Sequence, residues 1–390
     1  MTHNTEKPIN RRQLLAAGAA ASGALAASRA FAQDAQGQPL MGDPQLPEAA
    51  AQRTGWAVVG LGTFAVGQVM PGFLAASRAR MTAFVSGNPD KAAMLGQRYG
   101  VERLYSYDNY DQIADADDIE CVYIVLPVGL HAEYTIRALE AGKHVLCEKP
   151  MASTSTECER MIAAARANDR RLGVAYRIHF EPTNQVAAQH IANGDLGTLR
   201  HIRCEHGFPA NPQWPPHAWR LQRALAGGGS MFDIGIYGLN TALMAAAGDA
   251  VVEVSGLYSY DRSDPRFAEV EGGVDWRLRL ASGAIVSGSS SYSYSPYISR
   301  QTYIGDKGNI TMSPACTYYD NEGVIDTGNG PQPLGAGPAA TQFASQLDGF
   351  TDAVREGLAH LTPGEMGLRD IALIEAIYAS ADNGGIPVTV

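Results

Sequence analysis

Three groups of residues in this 390-residue chain are of types and spacings that can do chemistry. One is Glu148-Lys149-Pro150, directly after the apolar run His144 to Cys147. The proline restricts Lys149 to an extended conformation. A charged pair locked in this way at the carboxyl edge of a parallel sheet stands where open α/β proteins receive ligands, although a Glu-Lys pair is also ordinary on a solvated loop. The second group is Asp233 and Tyr237, four residues apart in the apolar helix start Gly227 to Asn240 and therefore on one helical face. A tyrosine facing an aspartate can simply be a satisfied core residue. Beside Lys149 it would become a base candidate, because a phenol pKa of about 10 must fall before the phenolate can accept a hydroxyl proton, and an adjacent ammonium lowers it. The third group is Gly60-Leu61-Gly62-Thr63-Phe64-Ala65, a Gly-x-Gly-x-x-Gly/Ala pattern preceded by the apolar run Trp56 to Val59. Such glycines let a turn close and let the backbone approach a pyrophosphate at a helix N-terminus.

The elements that must position these groups follow from periodicity. Met81 to Val85, Cys121 to Leu126 and His144 to Cys147 read as strands, with helical patterns between them at Pro89 to Tyr99 and His131 to Ala141. Strands alternating with helices imply a parallel, doubly wound sheet. At the end of the second strand, 24 residues past Gly62, stands Ser86-Gly87-Asn88-Pro89-Asp90-Lys91. An NAD-specific site usually has a carboxylate at this strand end to hold the ribose 2'-hydroxyl. Ser86 followed by Lys91 suits a 2'-phosphate better, so NADP is the expected cofactor. Farther on, alternating segments near Leu199 to His206, Val252 to Tyr260, Val274 to Leu280, Ala284 to Ser290 and Gln301 to Ile304 read as strands of a second sheet.

Composition excludes several classes. Hydrophobic residues are 45% and charged residues 18%, which fits a soluble globular chain rather than a disordered or coiled-coil one. A formal charge of −10 is the wrong sign for binding a phosphate backbone, so no nucleic-acid partner is expected. The five cysteines are scattered and never spaced Cys-x-x-Cys, which indicates neither a disulfide framework nor a metal site. Arg11-Arg12, an uncharged Ala-rich stretch to Ser28 and the small-x-small Ala30-Phe31-Ala32 read as a twin-arginine signal peptide over residues 1–32. That implies the periplasm, reached by a route that carries folded, cofactor-loaded proteins, with no membrane span in the mature form. Residues 33–54, rich in Pro and Gly, read as an extended arm. Residues 55–176 then form the dinucleotide domain and 177–390 a second, substrate-binding domain.

Taken with Tyr176-Arg177-Ile178-His179-Phe180-Glu181-Pro182, Trp219-Arg220-Leu221 and Gln342 to Asp348, these motifs make the chain resemble the glucose-fructose oxidoreductase branch of the Gfo/Idh/MocA family over nearly all of its length after the arm. The resemblance implies a Rossmann domain followed by an α+β domain with an open, mostly antiparallel sheet that serves as an interface in a homo-oligomer. It implies that Lys149 and Tyr237 are the catalytic pair, with Asp233 as a sugar-hydroxyl or orienting partner and Arg177 as a substrate contact, so that Lys149, Arg177, Asp233 and Tyr237 would line the sugar site. Cofactor positions would be Gly60, Gly62, Thr63, Phe64, Ala65, Ser86, Lys91, Leu126, Pro127, His131, Glu148 and Lys149. The arm around Pro39 to Pro47 would clasp the cofactor or a neighbouring subunit. The implied activity, of glucose-fructose or aldose-aldose type, oxidises one sugar at C1 to a lactone and reduces a second to an alditol on one bound NADP. The alternatives are an exported NAD-dependent glycosidase of the same family and a non-catalytic sugar or NADP sensor. Two departures bear on this: Pro127-Val128 lacks the expected Asn after the proline, and the chain stops at Val390, short of a longer C-terminal tail.

Overall fold

The computed structural model describes residues 48–390; the segment expected to be a twin-arginine leader, and the expected arm as far as Pro47, lie outside the described residues. Glu48 pairs with Arg78 and Arg355. The end of the arm is not extended as expected, because Ala50–Gln52 forms a single 3-10 turn.

The first sheet is built from β1 (Thr54–Val59), β2 (Ala79–Val85), β3 (Arg103–Tyr105), β4 (Cys121–Ile124), β5 (His144–Glu148) and β6 (Leu172–Ala175), in the order β3-β2-β1-β4-β5-β6. All neighbours are parallel. Every residue of β1 and β4 is buried, as expected for strands covered by helices on both faces. The strand order reverses between β1 and β4, and the crevice outside their carboxyl ends is where such sheets bind ligands. The Pro89–Tyr99 helix has the bounds expected from sequence, capped at its start by the Asn88 side chain and at its end by Gly100 in the left-handed region. The helix after the glycine turn begins at residue 63 and runs through a π-turn, Ala65–Val69, into Met70–Ala75.

The second sheet has nine strands: β7 (Leu199–Gly207), β8 (Val251–Tyr258), β9 (Gly273–Leu280), β10 (Ile285–Ser291), β11 (Ile298–Gly305), β12 (Asn309–Met312), β13 (Gly323–Asp326), β14 (Gln332–Pro333) and β15 (Val388–Thr389). Their order is β14-β13-β12-β11-β7-β10-β9-β8-β15, antiparallel except for the β7–β10 pair. This is the mixed α/β architecture expected, with a largely antiparallel second sheet. Along β9, Val274, Trp276, Leu278 and Leu280 face the core while Asp275, Arg277 and Arg279 face out, the period-2 alternation of a one-sided sheet. The apolar face is covered by the Ile236–Ala245 and Gly364–Asp382 helices.

The chain then returns to the first sheet. Leu347 and Phe350, on the Gln342–Glu356 helix, pack into the core with Trp56, Val58 and Phe84. The Asp348 carboxylate accepts the Ser77 and Arg78 backbone N–H groups at 2.7 and 2.8 Å. All five cysteines are buried and free, and burial raises each thiol pKa. They serve as small apolar side chains.

Candidate active site

The glycine turn meets its structural requirement at Gly60. Its φ is +93°, and a Cβ there would lie 2.4 Å from the Val125 carbonyl oxygen. No other residue lets β1 and β4 end this close together. At Gly62 a Cβ would meet nothing within 4 Å, and Gly62 and Thr63 are exposed at the helix start, while Ala65 is buried against the sheet. Exposed backbone N–H groups at a helix N-terminus beside open space fit a dinucleotide's pyrophosphate. Ser86 lies at the end of β2, its hydroxyl accepting the Asn88 N–H at 3.1 Å and retaining a proton to donate. Asn88 in turn accepts the Lys91 N–H at 2.9 Å, which caps the helix and places Lys91 in its first turn. Asn88 was not assigned from sequence as the N-cap of this helix, although Asn before Pro at a helix start is a capping signal.

The sheet brings together the residues expected to carry the chemistry. Lys149 follows β5 with a cis bond to Pro150. Its ammonium donates to the Asp233 backbone oxygen at 2.6 Å and lies 3.8 Å from the Asp233 carboxylate and 4.4 Å from the Tyr237 ring centroid. Asp233 sits in a π-turn, Met231–Gly235, that leads into the helix bearing Tyr237. Two further partners of Asp233 were not assigned from sequence. Arg220 Nε donates to its carboxylate at 2.9 Å, and the Tyr292 hydroxyl donates at 3.2 Å. Burial alone would raise the Asp233 pKa, but Arg220 and then Lys149 outweigh it and hold the carboxyl below its ordinary value. Lys149 shifts down, burial outweighing the pull of Asp233 and Glu148.

The electrostatics of Tyr237 correct the sequence reading. Lys149 was expected to lower the phenol pKa, yet its ammonium lies over the ring and is spent on Asp233. Burial raises Tyr237 above its ordinary value, and the charge that opposes this most strongly is Arg177. Arg177 is 3% exposed, with its Cζ 4.8 Å from the Tyr237 ring centroid and 4.5 Å from that of Tyr318. It donates to the Cys316 and Thr317 backbone oxygens at 2.8 and 3.1 Å and to the Gln342 side chain. Arg177, expected as a substrate contact, lies buried against the phenol ring, and its Nε has no hydrogen-bond partner among the described residues. Tyr318 forms an aromatic cluster with Phe343 and with Phe64 of the glycine turn, centroids 5.7 to 6.0 Å apart. Phe64, expected at the cofactor, thereby ties the cofactor turn to the second domain.

Two other expected cofactor side chains are spent on the protein. The His131 ring nitrogens lie 2.8 Å from the Leu126 and Pro150 backbone oxygens. Those carbonyls favour the imidazolium, but burial outweighs them and lowers its pKa. His131 therefore joins the loop after β4, which contains Leu126 and Pro127, to the loop after β5. Glu148 accepts the Tyr123 hydroxyl at 2.7 Å and the Lys149 N–H at 3.2 Å, and burial raises its pKa.

A parallel sheet with an open glycine turn at its switch point, facing a Lys-Asp-Tyr cluster, defines an oxidoreductase that works with a nicotinamide dinucleotide. The chain belongs to the Gfo/Idh/MocA family: residues 54–176 match the oxidoreductase family with an NAD-binding Rossmann fold, and residues 184–311 match the GFO/IDH/MocA C-terminal domain. Among solved structures, the chain is similar to an aldose-aldose oxidoreductase from Caulobacter crescentus complexed with glycerol, with 40% identity and a TM-score of 0.82, covering 87% of this chain and 100% of that one. A 3-ketoreductase from Actinomadura kijaniata in complex with NADP and TDP-benzene is 26% identical with a TM-score of 0.74, covering 84% and 98% of the two chains. The D-xylose 1-dehydrogenase [NADP(+)] of Haloarcula marismortui is 28% identical over 329 residues, 84% of this chain and 91% of that protein.

Proposed function

We propose that this sugar oxidoreductase is exported and keeps NADP bound, oxidising an aldose at C1 to the aldonolactone and reducing a second sugar to the alditol by a ping-pong mechanism. The observation that carries the reading is the convergence of Lys149, Asp233 and Tyr237 at the carboxyl edge of the first sheet, in a chain 40% identical to an aldose-aldose oxidoreductase. Ser86, directly after β2, and Lys91, in the first turn of the Pro89–Tyr99 helix, support NADP over NAD. The dinucleotide, when bound, supplies a hydride acceptor for one sugar and a hydride donor for the other. Tyr237 takes the C1 hydroxyl proton and later returns one to the second sugar. Asp233, kept ionised by Arg220, accepts a neighbouring sugar hydroxyl and fixes the ring. Arg177 is the positive charge that opposes burial of the phenol and favours its deprotonated form, while Lys149 lies over the ring and ties it to Asp233.

Retention of the cofactor follows from export. The periplasm offers no expected pool of NADP(H), so an enzyme that exchanged it freely would run once and stop. The reading includes a homo-oligomer formed through the outward face of the second sheet. It is tested by incubating purified protein with a panel of sugars and no added cofactor. Lactone and alditol in equal amounts are expected, and product formed only on addition of NADP(H) would overturn the bound-cofactor reading. N-terminal sequencing of periplasmic material should begin at or near Gln33, and an intact Met1 there would overturn export.

A further inference from the structure

Glu271, in the loop between β8 and β9, touches none of the site residues yet holds the segment that carries two of them. It is 4% exposed. One carboxylate oxygen accepts the Gly229 N–H at 2.8 Å; the other accepts the Met231 N–H at 2.9 Å and the Tyr378 hydroxyl at 2.8 Å. Its backbone oxygen accepts the Ser230 N–H at 3.2 Å. Three consecutive N–H groups at the start of the Asp233 turn thus end on one residue. Helix starts leave such donors without intrahelical partners, and a side chain at the N-cap ordinarily takes one of them. Here Ser230 does not cap; its hydroxyl goes to Ser290.

The glycine run before the turn fits this arrangement. A Cβ on Gly229 would lie 1.9 Å from the Glu271 backbone oxygen, and one on Gly228 would lie 2.4 Å from the Phe232 ring. The Asp233 N–H bonds the Gly229 oxygen at 3.0 Å, so Asp233 stands one turn beyond the clamped residues and Tyr237 in the next turn. We propose that Glu271 is a positioning residue: its buried carboxylate fixes the start of the turn carrying Asp233 and Tyr237, and so sets their geometry for proton transfer without touching substrate.

This rests on the roles proposed for Asp233 and Tyr237, and its test separates the two. Glu271→Gln keeps the volume but offers one acceptor oxygen to three donors. It should lower kcat by about tenfold to a hundredfold, with NADP affinity within about twofold of wild type. Adding Tyr237→Phe to it should cost much less than Tyr237→Phe costs alone, because the two act on one step. Independent, additive losses, or an unchanged kcat, would overturn the proposal. Should Glu271→Gln fail to fold, Tyr378→Phe removes only one of the donors and should lower kcat severalfold, with NADP affinity retained; an unchanged kcat there would equally overturn it. If the wild type turns over no sugar, the functional reading fails and amide hydrogen exchange reads the clamp directly. Glu271→Gln, or Tyr378→Phe in its place, should then speed exchange across residues 229–237 and leave residues 54–148 unchanged. Unaltered protection at 229–237 would overturn the clamp.

Discussion

Two cations lie against the Tyr237 ring, Lys149 Nζ and Arg177 Cζ, at 4.4 and 4.8 Å from its centroid. Contacts of this kind act on the ring face and survive loss of the hydroxyl. Tyr237→Phe should therefore keep stability within about 1 kcal/mol of wild type while slowing both sugar oxidation and sugar reduction by roughly 10²-fold or more. Stopped-flow absorbance of the bound nicotinamide would follow each half-reaction, and a normal rate in either one would remove Tyr237 from the mechanism. Lys149→Ala takes away the ammonium that bridges the ring and Asp233, so it should slow both half-reactions as well. Wild-type initial rates with two sugars should give parallel double-reciprocal lines, since the first product must leave before the second sugar enters the same pocket.

At the scale of elements, the glycine turn separates a folding role from a binding role. Gly60→Ala would force a side chain into the left-handed region, at about 1–2 kcal/mol, and drive it into the Val125 oxygen. Gly62→Ala meets open space instead. The first should lower both the thermal midpoint and dinucleotide affinity; the second should cost within about 1 kcal/mol of stability and show mainly in calorimetric titration of NADP. On β7, His206 packs against Gly238, next to Tyr237, with both ring nitrogens lacking a hydrogen-bond partner among the described residues. Burial holds its pKa at about 3. The unfolded chain therefore binds this proton first, and stability falls as pH drops from 6.5 toward that value, by up to about 1.4 kcal/mol per pH unit. His206→Phe should gain stability relative to wild type on going from pH 7.5 to pH 5 in urea unfolding. An equal difference at both pH values would mean that His206 is not held neutral by burial.

At the scale of the whole molecule, the last quarter of the chain supports the first. Phe350 is fully buried, 5.4 Å from the Trp56 ring, and Thr351 accepts the indole N–H at 3.3 Å. Phe350→Ala should cost about 3–5 kcal/mol although it lies some 290 residues from β1, and saturating NADP should restore part of the thermal midpoint by binding only the folded form. A loss confined to the second domain, with residues 54–148 still protected in hydrogen exchange, would contradict this coupling.

Much of this protein was legible in its residues because the signals are local. A glycine turn between an apolar run and a helix, a lysine before proline at a strand end, and an aspartate and tyrosine four apart need only short-range geometry to be read. The buried strands and the Pro89–Tyr99 helix followed from their residue patterns for the same reason, whereas β3, of three residues with none buried, is too short to show one. What the tertiary structure decided is which distant groups meet. Arg220 and Tyr292 reach Asp233, and Arg177 rather than Lys149 opposes the burial of Tyr237, because loops separated by 13 to 60 residues converge there. The direction of a pKa shift depends on burial and on the nearest charge, and neither is a property of neighbours along the chain.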